Sequence, residues 1–456
     1  METNENERDA AVGQGARLDV LTYSAESTFR NCRRKYRHRY VDGIVLRGED
    51  AEALYVGDLW HGMSELLVLG ESDPRAQETA AAIERRDAET GTVRAAVPGD
   101  DRPAVLSLAF LEDVLRGWEG VPWKRRIRHQ LRAMLLGYRA RWAPQGGARP
   151  GDEGLLDPDF EFLDVEVGFE LEIRNPESGR SSRSFSSRGK VDGVVRSRRD
   201  GRLWIWERKT ARSVGGDYVD RLWTDAQIQR YGAAVSSIFG EPVAGAVYDV
   251  SVKPLLKQAE EVHESPDAHM IRFTGEIEKR RKAWAEAGKD PAKWEKERER
   301  VSKLKSLEPV HKSAESDEEY LSRLVEWTGA QDKYARLLVP FVPADLEESL
   351  ADTWETSQQI LDARRRGKWS RNRSQCYAFG RPCAYVTLCK ANQDPDSPDE
   401  TLATLYEAAP PHQELGPSRA RRWFDAGGIL QEDGGGDLPG FDSQIGGPPL
   451  DDSTLF

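Results

Sequence analysis

The sequence predicts an α/β fold in which a β-sheet is flanked by helices, and three observations carry that expectation. Residues 161–174 alternate apolar with polar side chains: Leu163, Val165, Val167, Phe169, Leu171 and Ile173 against Asp164, Glu166, Gly168, Glu170 and Glu172. That is the period of a half-buried strand. Residues 190–197 and 203–210 are rich in β-branched and aromatic side chains, with Asp200-Gly201, a strong hairpin signal, between them. Charged stretches with helical spacing lie on both sides of this segment. At 456 residues the chain can bury one large core or two modest ones.

In chain order, residues 1–18 are polar and read as a flexible N-terminus. Residues 19–75 read as two helices of the main domain. Residues 76–155 read as a helical insertion, broken at Val97-Pro98-Gly99 and closed by a Gly/Pro linker at 144–152. Residues 156–260 hold the expected core: the alternating strand, the hairpin, a helix opening at Asp225 and a strand at 243–252. Residues 261–375 are helix-rich and are expected to carry the chain back towards Cys32. Residues 376–391 crowd three cysteines together. Residues 392–456 are rich in Gly, Pro and Asp and read as an acidic disordered tail, with ordered structure ending near Asn392.

The hairpin carries the chemistry. If Asp200 and Gly201 form a two-residue loop, Arg199 pairs with Arg202 and Asp192 falls opposite Lys209; a four-residue loop at 199–202 gives the same pairing, and a three-residue loop would send Asp192 to the other side. Glu207 and Lys209, two apart, then share the face of Asp192. Neighbouring carboxylates repel unless a cation sits between them. Mg²⁺ or Mn²⁺ would take oxygens from Asp192, Glu207 and the Arg208 carbonyl. Lys209 would orient or deprotonate a water for attack on a phosphodiester. The bland alternative is a surface hairpin with an Asp–Lys pair, since Glu-x-Lys alone is common. Gly189-Lys190-Val191-Asp192-Gly193 one strand earlier favours the functional reading.

Three other groups fit that chemistry. Gln227 and Tyr231 lie at i and i+4 on the helix after the hairpin. They could contact a DNA backbone or brace the lysine, or Tyr231 could join Ala234, Val235 and Ile238 in the core. His61, on a helix running through Leu66 and Leu67, could offer an imidazole to the metal from the opposite wall; a lone helical histidine is more often structural. Cys32, Cys376, Cys383 and Cys389 suggest one four-thiolate site. They lack the Cys-x-x-Cys pairs of zinc knuckles, and the wide spacing fits an iron–sulfur cubane (4Fe-4S) better than zinc. Four reduced, unrelated thiols are the alternative.

Taken together, Cys32, His61, Asp192, Glu207-x-Lys209, Gln227-x-x-x-Tyr231 and the three late cysteines resemble, in type and order, the PD-(D/E)XK nuclease superfamily. More narrowly they resemble its RecB-like branch with an iron–sulfur cluster, which includes CRISPR-adaptation, AddB-type and many phage exonucleases. Leu21-Thr22-Tyr23-Ser24, leading to Phe29 and Cys32, is similar to that family's opening helix. The resemblance spans about residues 20 to 391. It implies a restriction-endonuclease-like central mixed sheet flanked by helices, metal-dependent DNA cleavage, and a cluster that staples the chain ends together. Glu207 stands where many members carry Asp. The six residues between Cys376 and Cys383 exceed the two of some branches.

Net charge is −12, yet residues 392–456 carry 13 acidic and 3 basic side chains, which leaves the rest near neutral. Residues 124–142 hold seven Lys or Arg and no acid. With the cluster at 33–39 they could track phosphates, or simply face solvent. The N-terminus lacks the basic and apolar regions of a signal peptide, so a cytoplasmic, reducing location is expected. No apolar run approaches a membrane span. Residues 448–456, acidic with an apolar last residue, resemble the docking tip of bacterial single-stranded-DNA-binding proteins; a solubilising tail is the simpler reading.

The expected function is a metal-dependent DNA exonuclease acting on ends or single strands in replication, repair or recombination. The alternatives are a DNA-binding scaffold without turnover, or a nuclease subunit working with a helicase, recombinase or single-stranded-DNA-binding protein. No Gly-x-x-x-x-Gly-Lys-Ser/Thr loop occurs, so ATP-driven unwinding would need another chain.

Overall fold

The computed structural model describes residues 18–47, 52–69, 73–92, 102–116, 123–142, 159–304, 307–308, 311–378, 380–391 and 404–426. Strand β1 (Asp19–Leu21) enters α1 (Tyr23–Asn31), capped by the Thr22 hydroxyl, which accepts from Ala25 N at 3.2 Å. Then follow α2 (Arg33–Tyr36), β2 (Ile44–Leu46) and α3 (Glu52–Val68). Three more helices come next: α4 (Pro74–Thr90), α5 (Arg102–Leu115) and α6 (Lys124–Trp142). The central segment is β3 (Phe160–Arg174), β4 (Ser181–Ser197), β5 (Leu203–Ala211), α7 (Gly216–Leu222), α8 (Ala226–Phe239) and β6 (Val243–Val252). The two-stranded β7 (Val262–His263) and β8 (His311–Lys312) bracket α9 (Pro266–Glu286) and α10 (Trp294–Ser302). The chain closes with α11 (Asp317–Thr328), β9 (Tyr334–Pro340), α12 (Pro343–Arg366), β10 (Tyr377–Ala378), β11 (Arg381–Pro382), α13 (Val386–Ala391), β12 (Tyr406–Ala408) and α14 (Arg419–Asp425).

The main sheet is mixed, in the order β1-β4-β5-β6-β9, with β3 also paired to β4. β1 runs parallel to β4 and β5 parallel to β6; the other pairs are antiparallel. Val194, Leu203, Ile205 and Val250 pack on Ile228, Ala234 and Val235 of α8. Val195, Trp204, Trp206 and Val247 form a second apolar cluster with Phe160. Helices α3–α6 enclose a further core around Leu59, Trp60, Met63, Phe110, Leu131 and Met134. Among the described residues, no helix is long and apolar enough to cross a membrane.

The hairpin closes two residues away from the expected register. Ser197 N donates to the Arg202 carbonyl at 2.9 Å, so the loop is 198–201, with Gly201 in the left-handed region at φ 73°. Gly193 pairs with Trp206, so Asp192 comes opposite Glu207 rather than Lys209. A two-residue shift preserves side-chain parity, and the acids still share a face.

Three other expectations change. The helix-rich span contains β9, an edge strand whose short run sits between charged helices. Order does not end near Asn392: β12 pairs with β2 (Tyr406↔Leu46), and Ala420 and Phe424 of α14 are buried in the helical core. The rest of the expected tail, its docking-tip resemblance and residues 1–17 lie outside the described residues. Finally, α6 is not a free basic face. Ile127, Leu131, Met134, Leu135 and Tyr138 are buried, while Arg125 pairs with Asp317 and Arg128 with Glu112. In the other basic cluster, Arg33 donates to Gln359, Arg34 to the Trp369 carbonyl and Arg39 to the Pro410 carbonyl.

Candidate functional site

β4 has one edge along β3; its other edge pairs with β1 at Phe185–Ser187 and with β5 from Gly193 onward. Between those contacts, residues 188–192 have no strand neighbour on that edge among the described residues. β5 peels away here towards β6, and the Asp192 carboxylate fills the opening: its Oδ2 accepts from Arg208 N at 2.8 Å. A side chain thus takes the place of a ladder bond, and that fixes Asp192 beside Glu207.

Glu207 is 4% exposed, and its Oε2 is buried without a hydrogen-bond partner among the described residues. Burial, then the charge of Asp192, pushes its pKa well above the usual carboxylate range. Lys209 Nζ donates to Glu207 Oε1 at 2.5 Å. Burial pulls the lysine's pKa down, but Glu207, Asp192 and Asp225 more than offset this, and it stays raised and charged. A buried acid with one orphaned oxygen beside a second carboxylate is a donor set that a divalent cation would satisfy.

The opposite wall is α3. His61 Nδ1 lies 3.5 Å from Asp192 Oδ2. Ligand atoms of His61, Asp192 and Glu166 all lie within 4.8 Å of one another. In the sequence Glu166 falls on the polar side of its alternating strand. It takes φ 55°, rare for a residue with a side chain, between the pairs Val165↔Gly193 and Val167↔Val191. The register of β3 on β4 sets it across from Asp192, a pairing that the periodicity of β3 alone does not signal. Glu65, one turn after His61, has a pKa raised by burial and by the nearby Glu166.

α8 closes the site from the other side. Asp225 caps it, accepting from Gln227 N at 3.1 Å. Gln227 Nε2 donates to Tyr231 Oη at 2.7 Å, and burial, then the charge of Glu207, raises the tyrosine's pKa. Tyr231 therefore belongs both to the core, with Ala234 and Val235, and to the acid cluster. Ile238, expected in that core, is 51% exposed. Gly189 explains its own place in the motif: a Cβ there would lie 2.4 Å from the Phe169 ring, which packs edge-on against Tyr231.

The sequence matches the family model of the PD-(D/E)XK nuclease superfamily over residues 20–390. The chain belongs to the PD-(D/E)XK nuclease superfamily. Membership points to metal-dependent phosphodiester hydrolysis with nucleic acid as substrate, and the carboxylate cluster lies where two strands of the sheet part. A comparison with curated proteins gives no match.

In this PD-(D/E)XK chain the four cysteines come together from both ends of the matched region. Cys32, Cys376, Cys383 and Cys389 all line one cavity of about 240 Å³, with Lys35, Arg371 and Arg381 at its border. All four are free thiols. Asn372 N donates to Cys32 Sγ at 3.5 Å, and Cys383 N to the Cys376 carbonyl at 2.8 Å. Burial raises the thiol pKa of Cys383 and Cys389. Among the described residues these sulfurs do not form a group at single-ion spacing.

Proposed function

We propose that this chain is a metal-dependent DNA exonuclease acting on DNA ends or single strands in replication, repair or recombination. One observation carries the reading: Asp192, Glu207 and Lys209 meet on one face at the parted edge of the sheet, with His61 and Glu166 closing over them. Asp192, Glu207 and His61 would hold Mg²⁺ or Mn²⁺. When bound, the ion lowers the pKa of water and neutralises phosphate charge. Lys209, anchored on Glu207, keeps its ammonium in the cleft to orient the attacking water. The Arg208 N–H holds Asp192 in place. Gln227 positions the Tyr231 hydroxyl on the cleft wall, where it supports Lys209.

Incubating the full chain with end-labelled single- and double-stranded DNA and Mn²⁺ tests this. Progressive loss of terminal nucleotides, abolished by chelator and by Asp192→Ala, is expected. Equal degradation by Asp192→Ala refutes the site; fragments from internal cuts alone refute the exonuclease reading.

For the thiols, we infer an iron–sulfur cubane rather than zinc. A tetrahedral zinc ion with Zn–S bonds of about 2.3 Å sets its sulfurs about 3.8 Å apart. A cubane spreads its thiolates more widely, which suits an open cavity whose sulfurs fall outside single-ion spacing. A brown protein that bleaches with oxidant is expected. A colourless, zinc-loaded protein prepared anaerobically overturns the inference.

A further inference from the structure

Resting on the metal-dependent reading above, we propose that Glu166 is an additional metal ligand, and that the Lys190 ammonium occupies its carboxylate until the ion displaces it. Glu166 takes φ 55° where β3 passes from one core to another, Val165 packing in the helical core and Val167 against the core beneath α8. Its side chain is polar and partly exposed, and the flanking residues pair normally on either side. Its place between the pairs Val165↔Gly193 and Val167↔Val191 sets it across from Asp192, and its carboxylate lies within 4.8 Å of ligand atoms on both Asp192 and His61. Backbone conformations of this kind persist where the surroundings over-determine them, and they gather at ligand sites.

Without an ion, Glu166 makes an ion pair with Lys190. The two side chains are 25% and 20% exposed, so solvent reaches the contact. Lys190 stands opposite Gly168, where an added Cβ would meet nothing within 4 Å. The lysine stem therefore has room to swing away. Lys209 is held differently: its partner Glu207 has a side chain only 5% exposed. Asp192 is thus flanked by two ammonium–carboxylate pairs, one with its carboxylate buried and one with its carboxylate open to solvent. An entering divalent cation supplies the charge that Lys190 supplies to Glu166, and it also serves Asp192 and His61, which Lys190 does not.

Calorimetric titration of the full chain with Mn²⁺, without DNA, reads this directly. Glu166→Gln is expected to weaken Mn²⁺ binding roughly tenfold or more, as loss of a ligand or its close support does. Lys190→Met removes the competitor and is expected to tighten binding about two- to fivefold, the scale of a partly exposed ion pair. In the Glu166→Gln background, Lys190→Met should change nothing, because the two act through one contact. Lys190→Arg keeps the competing cation and should bind Mn²⁺ no tighter than the unaltered chain; melting curves in chelator show which variants are folded. Unchanged affinity in Glu166→Gln, weaker or unchanged affinity in folded Lys190→Met, or tighter binding by Lys190→Arg overturns the proposal. Failure of the underlying reading looks different: the unaltered chain takes up no Mn²⁺, or Asp192→Ala binds it equally well.

Discussion

Glu207 is held in the cleft by opposing demands, and its titration shows the balance. Burial and Asp192 favour its protonated form, while Lys209 favours the charged one, and the net shift is upward. A carboxyl whose folded pKa exceeds its unfolded value contributes stability below the unfolded pKa, about 4.3, and loses it as pH rises through the higher folded value. The metal-free protein is therefore expected to lose thermal stability with rising pH above the ordinary carboxylate range. Mn²⁺ should offset the loss, and Glu207→Gln should flatten it. Melting curves in chelator and in Mn²⁺ at about pH 6 and about pH 9 check all three; a metal-free Tm that rises over this interval contradicts the assignment. At this scale the sequence was informative where spacing carries the signal. Asp192, Glu207 and Lys209 are legible because strand parity survives a two-residue slip. Glu166 was not, because the register of β3 on β4 leaves no mark in composition or periodicity. A second prediction belongs here: Lys209→Met should lower turnover by about 10²-fold or more, the scale of a lost positioning or acid–base group. Mn²⁺ affinity, measured by titration, should change far less.

Helix α8 is positioned by a buried ion pair that no local pattern announces. Arg230 and Glu26 of α1 both have side chains 2% exposed and pair directly. Arg230 also donates to Thr353 of α12 at 2.8 Å, and Arg30 of α1 donates to Thr356 at 3.1 Å. The helix carrying Gln227 and Tyr231 is thereby tied to the helix that ends at Cys32 and to the one that returns towards the late cysteines. Breaking one partner of a buried pair typically costs about 3–5 kcal/mol, because the other charge is left unpaired. Glu26 keeps Arg30 as a second partner, so Arg230→Met should lower unfolding free energy by less than that full amount, about 1–3 kcal/mol, in a denaturant titration. A loss under about 1 kcal/mol would show that the pair carries little. The elements themselves were partly readable. β3, the hairpin and β6 stood out through alternation and β-branched residues. The first half of β4, Ser181 to Gly189, did not, since serine and arginine are weak strand formers and only its pairing with β3 and β1 makes it a strand. The basic run in α6 was legible as a helix but not as a core helix, because the acids that take its charges lie far away on α5 and α11.

Across the whole molecule, residues 404–426 join parts of the fold that are distant in sequence. β12 adds to β2 near the thiol cavity. Glu414 then accepts from the Thr22 hydroxyl at 2.5 Å, and α14 docks on α3, where Ala420 N donates to Asp58 Oδ2 at 3.0 Å one turn before His61. Gly62, beside His61, faces Ala420, 3.7 Å from where its Cβ would be. Loss of a buried Phe such as Phe424 alone costs about 3–5 kcal/mol. A chain ending after Ala391 should therefore melt roughly 5 °C or more below the full chain and bind Mn²⁺ more weakly through a displaced His61. Equal melting of the Ala391 and full-length chains would mean that α14 adds nothing to the helical core. By itself the sequence determined that a mixed sheet with helices forms, that two acids and an amine share one of its faces, and that one cysteine lies early in the chain and three late. Those are consequences of short-range periodicity, turn chemistry and residue type. Only the tertiary structure decided the register that sets Asp192 against Glu207, the pairing that adds Glu166, the cavity shared by the four thiols and the return of the late segment onto α3. Each of these depends on pairings across tens to hundreds of residues, where packing rather than local preference chooses the outcome.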